Sequence, residues 1–448
     1  MSRPPLPAGP YLVVGLARSG VAAALALLAR GEQVIGTDSN GSAGAQLSDL
    51  GVEVVADPVA ALDRARCVVK SPGVPAATGV IAAARERGIE VIGELELAWR
   101  LLPNRFVAVT GTNGKTTTVE LIGAMYRAAG APVAVAGNVG RALSLLATPP
   151  PHGQAPLDPA VTVVCEASSF QLEDAIAFAP HAAVLLNLAP DHLDRHGDMR
   201  SYMAAKLRLF ANQGPGDFAV LPSAGIDLAA VPGRAVRLTF GSGAGGDMRY
   251  DGEWLSWRGQ PLLARSAIRL RGAHNVENSM AAAAAALVCG LPAQAVVAAL
   301  ASFQGVAHRL EEVATIDGVL FINDSKGTNV ASTLVALRSF DPGTVHVILG
   351  GRGKGEDFGA LREAVAAHAR AIYLIGESAL EIAAALSEPA DRAGIPLMIA
   401  GRLDRAVAAA RAAARPGDVV LLSPAATSFD QFGDYEARGE SFRALVLA

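Results

Sequence analysis

The sequence predicts an α/β protein of three domains, with Rossmann-like domains at both ends and a central parallel sheet that carries a phosphate loop. Three observations lead to this prediction. Short apolar runs alternate with glycine-rich turns and Ala/Leu-rich helical segments, which is the pattern of parallel α/β units. The length of 448 residues fits two to four domains of roughly 100–200 residues each. Hydrophobic residues make up 51% of the chain, so a large core is available.

Charge and composition exclude several classes of function. Lys plus Arg is 38 and Asp plus Glu is 42, for a formal net charge of −4, so nothing demands nucleic acid as a partner. The chain has no apolar run of about 18 residues and no signal-peptide layout at its start. We therefore expect a cytoplasmic protein without membrane insertion. Three single cysteines, Cys67, Cys165 and Cys289, argue against a disulfide framework or a zinc site.

The first domain is predicted over residues 1–102, with strands near 11–15, 33–37, 67–70 and 89–92. The turn from Gly15 to Gly20 resembles a dinucleotide fingerprint but lacks its middle glycine. Asp38 ends the second strand, where an acid would meet a ribose. Ser71, Pro72 and Gly73 end another strand and would join the same crevice. This pattern favours a Rossmann-like module that binds a phosphorylated nucleotide.

The central domain, predicted over residues 103–305, contains the strongest motif. A strand at 105–109 leads into a loop that opens a helix, and the loop consists of Thr110, Gly111, Thr112, Asn113, Gly114, Lys115, Thr116 and Thr117. Backbone N–H groups of such a loop cradle phosphate oxygens. Lys115 would reach the terminal phosphates, and Thr116 would offer its hydroxyl to Mg²⁺. Val109 stands where the general phosphate-loop pattern has its first glycine. The motif nevertheless predicts nucleotide binding on a sheet of the ATPase type.

Three further residues of the central domain are candidates for the same site. Glu166 follows the strand at 161–165, which is the expected position of a Mg²⁺ ligand beside a phosphate loop. His192 lies in a dense polar cluster after the next strand, and we favour a site role for it. Lys206 lies on an amphipathic helix, where a lysine would ordinarily be a solvated side chain.

The third domain, predicted over residues 306–448, repeats the theme with strands at 319–323, 345–349, 371–375 and 419–422. Three polar or glycine-rich loops, at 323–329, 350–355 and 423–432, follow three of these strands. Because the carboxyl ends of parallel strands meet at one edge of a sheet, the loops predict a ligand crevice there.

Lysine usage points to the same loops. Only five of the 38 basic residues are lysine, namely Lys70, Lys115, Lys206, Lys326 and Lys354. Arginine and lysine are not interchangeable, so each retained lysine marks a place where an amine is needed. Four of the five lie in or beside candidate ligand loops.

Together, these strings resemble the Mur ligase family over essentially the whole chain. The resemblance rests on TGTNGKTT, GNVG, EASSFQLE, APDHLDRH, YMAAKLRLF, RGAHNVEN, INDSKGTNVAST, GGRGKGEDF and SPAATSFDQF. The closest branch is the MurD type, whose members add D-glutamate to UDP-N-acetylmuramoyl-L-alanine. The strings SSFQLE, NDSKGTN and SPAATSFDQF carry this narrower match.

The resemblance implies an ATP-dependent acid–D-amino-acid ligase of peptidoglycan precursor synthesis that works as a monomer. ATP would phosphorylate the carboxylate of UDP-N-acetylmuramoyl-L-alanine, and the amine of D-glutamate would attack the acyl phosphate. Because the carboxylate and the γ-phosphate are both anionic, Mg²⁺ ions and lysines would have to neutralise their charge.

The resemblance also assigns residues. The uridine diphosphate would be held through Arg18, Ser19, Asp38, Ser39, Ser71 and Gly73. Asn138 and His192 would contact the muramoyl-alanine end. Thr116 and Glu166 would ligate one Mg²⁺, with a second near His192 and Lys206, and Lys206 would be carbamylated to serve that metal. ATP would be held by Asn275, Arg309, Asp324 and Lys326 in addition to the phosphate loop. D-glutamate would be clamped by Thr328, Lys354, Ser428 and the backbone near Tyr435, a position where the family often has Phe.

Three alternatives remain open. Another Mur ligase, or a ligase resembling folylpolyglutamate synthase, would keep the phosphate loop but use a different amino acid. A Rossmann oxidoreductase would be built on the first domain and would leave the phosphate loop unexplained. A nucleotide-dependent switch would bind ATP or GTP without turnover that depends on an amino acid.

Overall fold

The structure is a computed structural model, and it describes residues 3–40, 45–138, 140–150, 157–243, 245–353 and 355–448. The chain forms two compact units. The first comprises Met1–Ile268 and Val276–Ser302, and the second comprises Arg269–Asn275 and Phe303–Ala448. The first unit contains two β-sheets and the second contains one. The predicted α/β fold with three sheets is therefore confirmed, and the domain boundaries at 102/103 and 305/306 stay predictions.

The N-terminal sheet has the strand order β3-β2-β1-β4-β5, and all of its pairs are parallel. Its strands are β1 (Tyr11–Val14), β2 (Val34–Thr37), β3 (Glu53–Val54), β4 (Cys67–Lys70) and β5 (Glu90–Gly93). Its helices are α1 (Arg18–Leu28), α2 (Ala45–Ser48), α3 (Pro58–Ala61), α4 (Gly79–Glu86) and α5 (Glu94–Leu101). β2 and β3 lie on one side of β1, whereas β4 and β5 lie on its other side, so the strand order reverses between β1 and β4. A ligand crevice is expected at the carboxyl ends of these two strands.

The central sheet has nine strands in the order β14-β13-β12-β11-β10-β9-β6-β8-β7. Its strands are β6 (Phe106–Thr110), β7 (Val133–Gly137), β8 (Thr162–Glu166), β9 (Ala182–Leu185), β10 (Phe218–Pro222), β11 (Val236–Ser242), β12 (Met248–Tyr250), β13 (Trp254–Trp257) and β14 (Gln260–Ala264). Its helices are α6 (Lys115–Ala128), α7 (Ser169–Leu172), α8 (Leu193–His196), α9 (Met199–Ala211), α10 (Ala273–Val288) and α11 (Ala293–Ser302). Parallel pairing changes to antiparallel only from β12 to β14, where Asp251 and Gly252 lie in the turn of the β12–β13 hairpin.

Buried charged side chains join the N-terminal and central sheets within the first unit. Glu96 on α5 is fully buried, and its carboxylate accepts the backbone N–H groups of Ile176, Ala177 and Phe178. Arg100, one turn later, donates to the same carboxylate at 2.7 Å. Four donors thus satisfy one buried charge, as a buried carboxylate requires.

The C-terminal sheet has the order β15-β16-β20-β17-β18-β19 and is parallel except for β15. Its strands are β15 (Glu311–Ile316), β16 (Val319–Asn323), β17 (Val345–Gly350), β18 (Ala369–Ile375), β19 (Leu397–Gly401) and β20 (Val419–Leu422). Its helices are α12 (Val330–Leu337), α13 (Arg362–His368), α14 (Ala379–Ala393), α15 (Leu403–Ala413) and α16 (Tyr435–Leu447). Buried apolar residues pack on both faces of this sheet.

Two expectations from composition can be compared with the structure. Within the described ranges, no helix has the length and apolar character needed to cross a membrane. All three cysteines are free thiols; Cys67 and Cys165 are buried and Cys289 is half-buried.

Candidate active site

The phosphate loop lies between β6 and α6. Lys115 is the first residue of α6, and its ammonium donates to the carbonyl oxygens of Gly111 at 3.0 Å and Thr112 at 2.8 Å. Thr116 and Thr117 occupy the next two positions and are buried. The backbone N–H groups of the first helical turn therefore lie at the loop, as phosphate binding requires.

Two asparagines hold the loop in shape. The Asn113 N–H donates to Oδ1 of Asn187 at 2.9 Å, and Nδ2 of Asn187 donates back to the Asn113 carbonyl at 3.1 Å. Gly114 has a φ of 85°, and a Cβ atom there would lie 2.2 Å from Oδ1 of Asn278 on α10. Both the backbone angle and Asn278 thus exclude a side chain at position 114.

Glu166, the last residue of β8, connects the phosphate loop with the loop that follows β7. Its Oε2 accepts a hydrogen bond from Oγ1 of Thr116 at 2.7 Å, and its Oε1 accepts one from Nδ2 of Asn138 at 3.0 Å. The Glu166 side chain is buried. The structure therefore brings together three predicted site residues, with Thr116 and Asn138 bound to the carboxylate of Glu166.

Lys206 lies on α9 with its ammonium buried against the phosphate loop. Its Nζ donates to the Gly111 carbonyl at 2.7 Å, so this oxygen accepts from both Lys206 and Lys115. The ammonium also lies 4.5 Å from the ring centroid of Tyr202. Burial, with a smaller contribution from the Lys115 charge, lowers the pKa of Lys206 from 10.5 to about 7. A large fraction of this amine is therefore neutral near pH 7.

His192 is the N-cap residue that precedes the short helix α8, and it has a left-handed φ of 52°. Its Nε2 lies 3.5 Å from Oδ2 of Asp191, and its ring centroid lies 4.8 Å from that of Phe170. The His192 side chain is 49% exposed. The imidazole is therefore accessible to a ligand while its backbone is held in an uncommon conformation.

The donor set fits Mg²⁺ bound together with substrate phosphates. Among the residues that the structure describes, no three His, Cys, Asp or Glu side chains gather into a metal site of their own. Mg²⁺ commonly takes only one or two carboxylates and completes its shell with water and phosphate oxygens. Glu166 and the Thr116 hydroxyl, 2.7 Å apart beside the phosphate loop, have this chemistry.

The predicted UDP-binding residues meet at the carboxyl ends of β1, β2 and β4. The Asp38 carboxylate accepts the backbone N–H groups of Leu16 at 2.5 Å and Asn40 at 2.8 Å. The Ser71 hydroxyl donates to the Gly15 carbonyl at 2.6 Å. Asp38 and Ser71 thus fix the two turns that border the crevice. Four other predicted contacts are less buried: Ser19 is half-buried, and Arg18, Ser39 and Gly73 are exposed.

In the second unit, Asp324 follows β16 and is almost fully buried. Its carboxylate accepts a hydrogen bond from Oγ of Ser423 at 2.7 Å and one from the Leu310 N–H at 3.2 Å. Despite these donors, burial raises the pKa of Asp324 from 3.8 to about 6. The carboxylate is therefore ionised at neutral pH but is close to protonation.

The other predicted ATP-binding residues of this unit lie around Asp324 or on α10. Arg309, whose charge acts on Asp324, lies between His308 and Leu310, which have left-handed φ values of 61° and 44°. Non-glycine residues in this region cluster at functional sites. Lys326 donates its backbone N–H to the His308 carbonyl at 3.0 Å. Nδ2 of Asn275 donates to the Arg271 carbonyl at 2.7 Å.

The three polar loops of the C-terminal sheet meet at one edge, as the sequence predicts. The Ala425 N–H donates to the Gly327 carbonyl at 2.9 Å, and the Gly350 N–H donates to the Pro424 carbonyl at 2.8 Å. Among the predicted D-glutamate contacts, Ser428 is buried and Thr328 and Tyr435 are half-buried. The Tyr435 carbonyl accepts the Ser325 hydroxyl at 2.8 Å. Lys354 lies outside the described residues, so its role stays a prediction.

Arg438 was not assigned a role from the sequence, yet it holds two of these loops together. It is fully buried on α16, and its guanidinium donates to the carbonyl oxygens of Ser325 at 2.8 Å, Ala426 at 3.2 Å and Thr427 at 3.2 Å. Its partners lie 11 to 113 positions away, so no local pattern identifies it.

Comparison with known proteins identifies the family. A model of the MurD-like N-terminal domain of Mur ligases matches residues 10–93, the Mur ligase middle domain matches 109–286, and the glutamate ligase domain of Mur ligases matches 308–426. The chain is 42% identical to the UDP-N-acetylmuramoylalanine--D-glutamate ligase of Acidobacterium capsulatum, over 98% of this chain and 96% of the relative. This chain belongs to the Mur ligase family.

Other comparisons agree with this Mur ligase assignment. The D-glutamate ligase of Anaeromyxobacter dehalogenans is 43% identical over 100% of this chain and 99% of its own. Among solved structures, MurC from Thermotoga maritima has a TM-score of 0.61 at 18% identity, covering 99% of each chain. MurF from the same organism, solved in complex with ADP, also has a TM-score of 0.61 at 18% identity, over 92% of this chain and 94% of that one. At these identities the two structures establish only the shared fold.

Proposed function

We propose that this Mur ligase is an ATP-dependent enzyme that joins D-glutamate to UDP-N-acetylmuramoyl-L-alanine in peptidoglycan precursor synthesis. The observation that carries the proposal is the similarity to curated D-glutamate ligases over nearly the full length of both chains. The arrangement around Glu166 and the phosphate loop supplies chemistry suited to that reaction.

Phosphorylation of a carboxylate by ATP brings two anions together, so the site must supply positive charge. Lys115 donates to the Gly111 carbonyl, which places one ammonium at the phosphate loop. Lys115 would bind the terminal phosphates, and the backbone N–H groups at the start of α6 would bind the others. Mg²⁺, held by Thr116 and Glu166, would neutralise phosphate charge when bound.

Substrate orientation falls to residues beside that loop. Asn138 is held by Glu166 and would donate to the muramoyl-alanine end, together with His192. The UDP group would bind at the turn fixed by Asp38 and the loop fixed by Ser71. Binding energy from this remote group would hold the reacting carboxylate in place, which favours the transfer step.

In the second unit, Asp324 would accept ribose hydroxyls, Arg309 and Lys326 would bind phosphate, and Asn275 would lie near the adenine. Thr328, Ser428 and the Tyr435 backbone would bind D-glutamate. Lys354 would bind one of its two carboxylates, because an ammonium makes a strong charge-assisted hydrogen bond to carboxylate.

Lys206 would act as a carbamate. Its pKa of about 7 means that the neutral amine, which reacts with CO₂, is well populated at physiological pH. The neutral amine adds to the carbon of CO₂ and releases one proton, which gives an anion with two oxygens suited to a hard cation near His192. Arginine stays protonated and cannot substitute, which agrees with the retention of lysine in an arginine-rich chain.

The test measures phosphate release from ATP in the presence of UDP-N-acetylmuramoyl-L-alanine. We expect release to require D-glutamate, with L-glutamate, L-alanine and meso-diaminopimelate nearly inert. Inverting the α-carbon would misplace either the amine or one carboxylate in the clamp. Equal turnover with another amino acid would reject the D-glutamate assignment and favour another ligase of the family. We also propose that the enzyme is cytoplasmic and monomeric. Light scattering of the purified enzyme tests the monomeric state.

A further inference from the structure

A set of charged groups connects the loop at 71–74, which contains the predicted UDP contacts Ser71 and Gly73, with the turn that presents His192. Arg195 on α8 donates from Nη2 to the Val74 carbonyl at 3.1 Å and from Nη1 to the Gly73 carbonyl at 3.4 Å. The same Nη2 donates to Oε2 of Glu173 at 2.9 Å. One guanidinium therefore binds both the end of this loop and an acid that follows α7.

A second cation, Lys70, binds the same carbonyl oxygen of the loop, that of Val74. Nζ of Lys70, which is fully buried, donates to the Val74 carbonyl at 2.8 Å. Its charge is balanced by Asp174, whose Oδ2 lies 2.8 Å away. Adjacent acids, Glu173 and Asp174, thus hold two cations on one carbonyl oxygen. The Ser71 hydroxyl fixes the other end of the loop.

Neighbouring aromatic and backbone groups hold Arg195 in place. Its backbone N–H donates to the His192 carbonyl at 3.1 Å, so both residues belong to one turn. The guanidinium carbon lies 4.2 Å from the ring centroid of Phe170, and the ring of His196 stacks on the same aromatic ring. Nε2 of His196 lies 3.0 Å from the Ser169 hydroxyl. These contacts limit the positions that the arginine can adopt.

The Arg195–Glu173 pair differs from the surface pairs of the same unit. The side chains of Arg195 and Glu173 are 14% and 18% exposed, whereas those of the Arg64–Glu53 pair are 52% and 54% exposed. Partly buried charge pairs are less screened by solvent, and the planar guanidinium can serve a carboxylate and a carbonyl together. A pair with this geometry is suited to holding a loop in place.

We propose that Arg195 and Glu173 are positioning residues for the sugar-nucleotide substrate: Glu173 orients Arg195, and Arg195 fixes the loop at 71–74 in the conformation that binds the UDP group. Neither residue needs to contact the substrate. The inference rests on the proposed function, because it assigns the loop at 71–74 to the UDP group.

The experiment compares the full-length enzyme with Arg195→Ala, Arg195→Lys and Glu173→Gln. We expect Arg195→Ala to raise KM for UDP-N-acetylmuramoyl-L-alanine roughly tenfold, since it removes charge-assisted bonds to two loop carbonyls. KM for ATP should stay within about twofold and kcat within about threefold of the parent values. Arg195→Lys should have an intermediate KM, because one ammonium cannot serve Glu173 and both carbonyls at once.

A double-mutant cycle tests whether the two residues act as a unit. If Glu173 works through Arg195, combining Glu173→Gln with Arg195→Ala should raise KM no further than Arg195→Ala alone. Multiplication of the two single effects would show that Glu173 acts independently, and its positioning role would be rejected. The exposed pair provides the matched controls, Arg64→Ala and Glu53→Gln. These variants should leave the KM values for UDP-N-acetylmuramoyl-L-alanine, ATP and D-glutamate unchanged.

Two results would overturn the role of Arg195. One is a KM for the sugar nucleotide within twofold of the parent value in a folded Arg195→Ala enzyme. The other is an equal rise in every KM together with a lower melting temperature, which indicates a general structural role. Calorimetric binding of UDP-N-acetylmuramoyl-L-alanine without ATP or amino acid gives the same comparison independently of turnover. A wild-type enzyme that binds this compound but does not use D-glutamate would reject the proposed function and leave this inference testable.

Discussion

At Lys206, the environment of one amine determines what chemistry is available to it. The ammonium is buried against the Gly111 carbonyl beside a second lysine, and its pKa falls to about 7. We expect Lys206→Arg and Lys206→Ala to lose most activity, because neither variant can form a carbamate. Acetate should partly restore Lys206→Ala by replacing the carbamate but should not restore Lys206→Arg, whose cation fills the space.

A direct measurement of the modification uses ¹³C-labelled bicarbonate. The parent enzyme should show a carbamate signal by ¹³C NMR that is missing in Lys206→Arg. The signal should weaken as the pH falls below about 7, since protonation removes the reactive amine. A Lys206→Arg enzyme of near-normal activity would mean that the site needs only a cation.

Asp324 gives a second prediction at this scale. Burial raises its pKa to about 6, above the ordinary value of 3.8. Protonation in the folded state is therefore favoured, so this group adds folding stability as the pH falls from about 6 toward 4. Its proposed role as acceptor of ribose hydroxyls depends on the ionised form. We expect ATP affinity to weaken as the pH falls through 6, by up to roughly tenfold per unit.

The comparison for Asp324 is the pH profile of Asp324→Asn. Its ATP affinity should be lower than that of the parent at neutral pH and should fall less steeply than that of the parent between pH 7 and 5. A parent-like slope in this variant would assign the titration to another group, and the proposed role of Asp324 would be wrong.

At the scale of secondary structure, the sequence predicted most interior strands and missed most edge strands. Strands β1, β4, β6, β8 and β20 are buried on both faces, so they read as continuous apolar runs. The edge strands β3, β7, β14, β15 and β19 and the interior strand β11 were not predicted, and all of them are at least partly exposed. In β15, the two adjacent charged residues Glu311 and Glu312 interrupt the alternation of apolar and polar residues that would predict a strand.

The same distinction holds for the candidate site. Lys115 and Glu166 were predicted because each lies at or just after the end of a buried strand in a recognisable motif. Asp324 was assigned by the family resemblance, in a loop that follows another buried strand. Arg195 and Arg438 were not, because their partners lie far away in sequence and only the fold brings them together. Local patterns identify groups at the ends of strands, whereas the side chains that hold the loops depend on tertiary contacts.

Arg438 shows how one helix secures two loops. Its guanidinium serves carbonyls from the loops after β16 and β20 at once. We expect Arg438→Lys to raise KM for D-glutamate about tenfold or more and to lower the melting temperature, because a single ammonium cannot replace the fork. Removing one partner from a buried charged network costs on the order of 3–5 kcal/mol.

The control for Arg438 is Arg392→Lys on α14, where the side chain is 79% exposed and pairs with Glu388. This variant should match the parent in both KM and melting temperature. If Arg438→Lys also matches the parent, the carbonyl contacts do not determine the loop conformation.

At the scale of the molecule, the N-terminal and central sheets should unfold together. Glu96 accepts three backbone N–H groups from the segment after α7, and it is fully buried. We expect Glu96→Gln to lower the free energy of unfolding of the first unit by about 1–3 kcal/mol, because a neutral amide offers one acceptor oxygen to four donors.

Denaturant unfolding followed by tryptophan fluorescence measures this effect, since Trp99 is buried on the same helix and packs edge-on against Phe178 at 5.8 Å. Glu53→Gln, at the exposed pair with Arg64, should leave the transition unchanged. Separate transitions for the two sheets in the parent enzyme would contradict their coupling.

The buried acid at position 96 also affects how genes of this family can recombine. A crossover near residue 103 would pair α5 of one parent with the segment at 176–178 of another. If the incoming helix lacked a carboxylate there, three backbone donors would be left without an acceptor inside the protein. If the incoming segment differed in shape, the acid would be buried without enough donors. The first two sheets should therefore be inherited as one module, and functional chimeras should rarely have a junction between them.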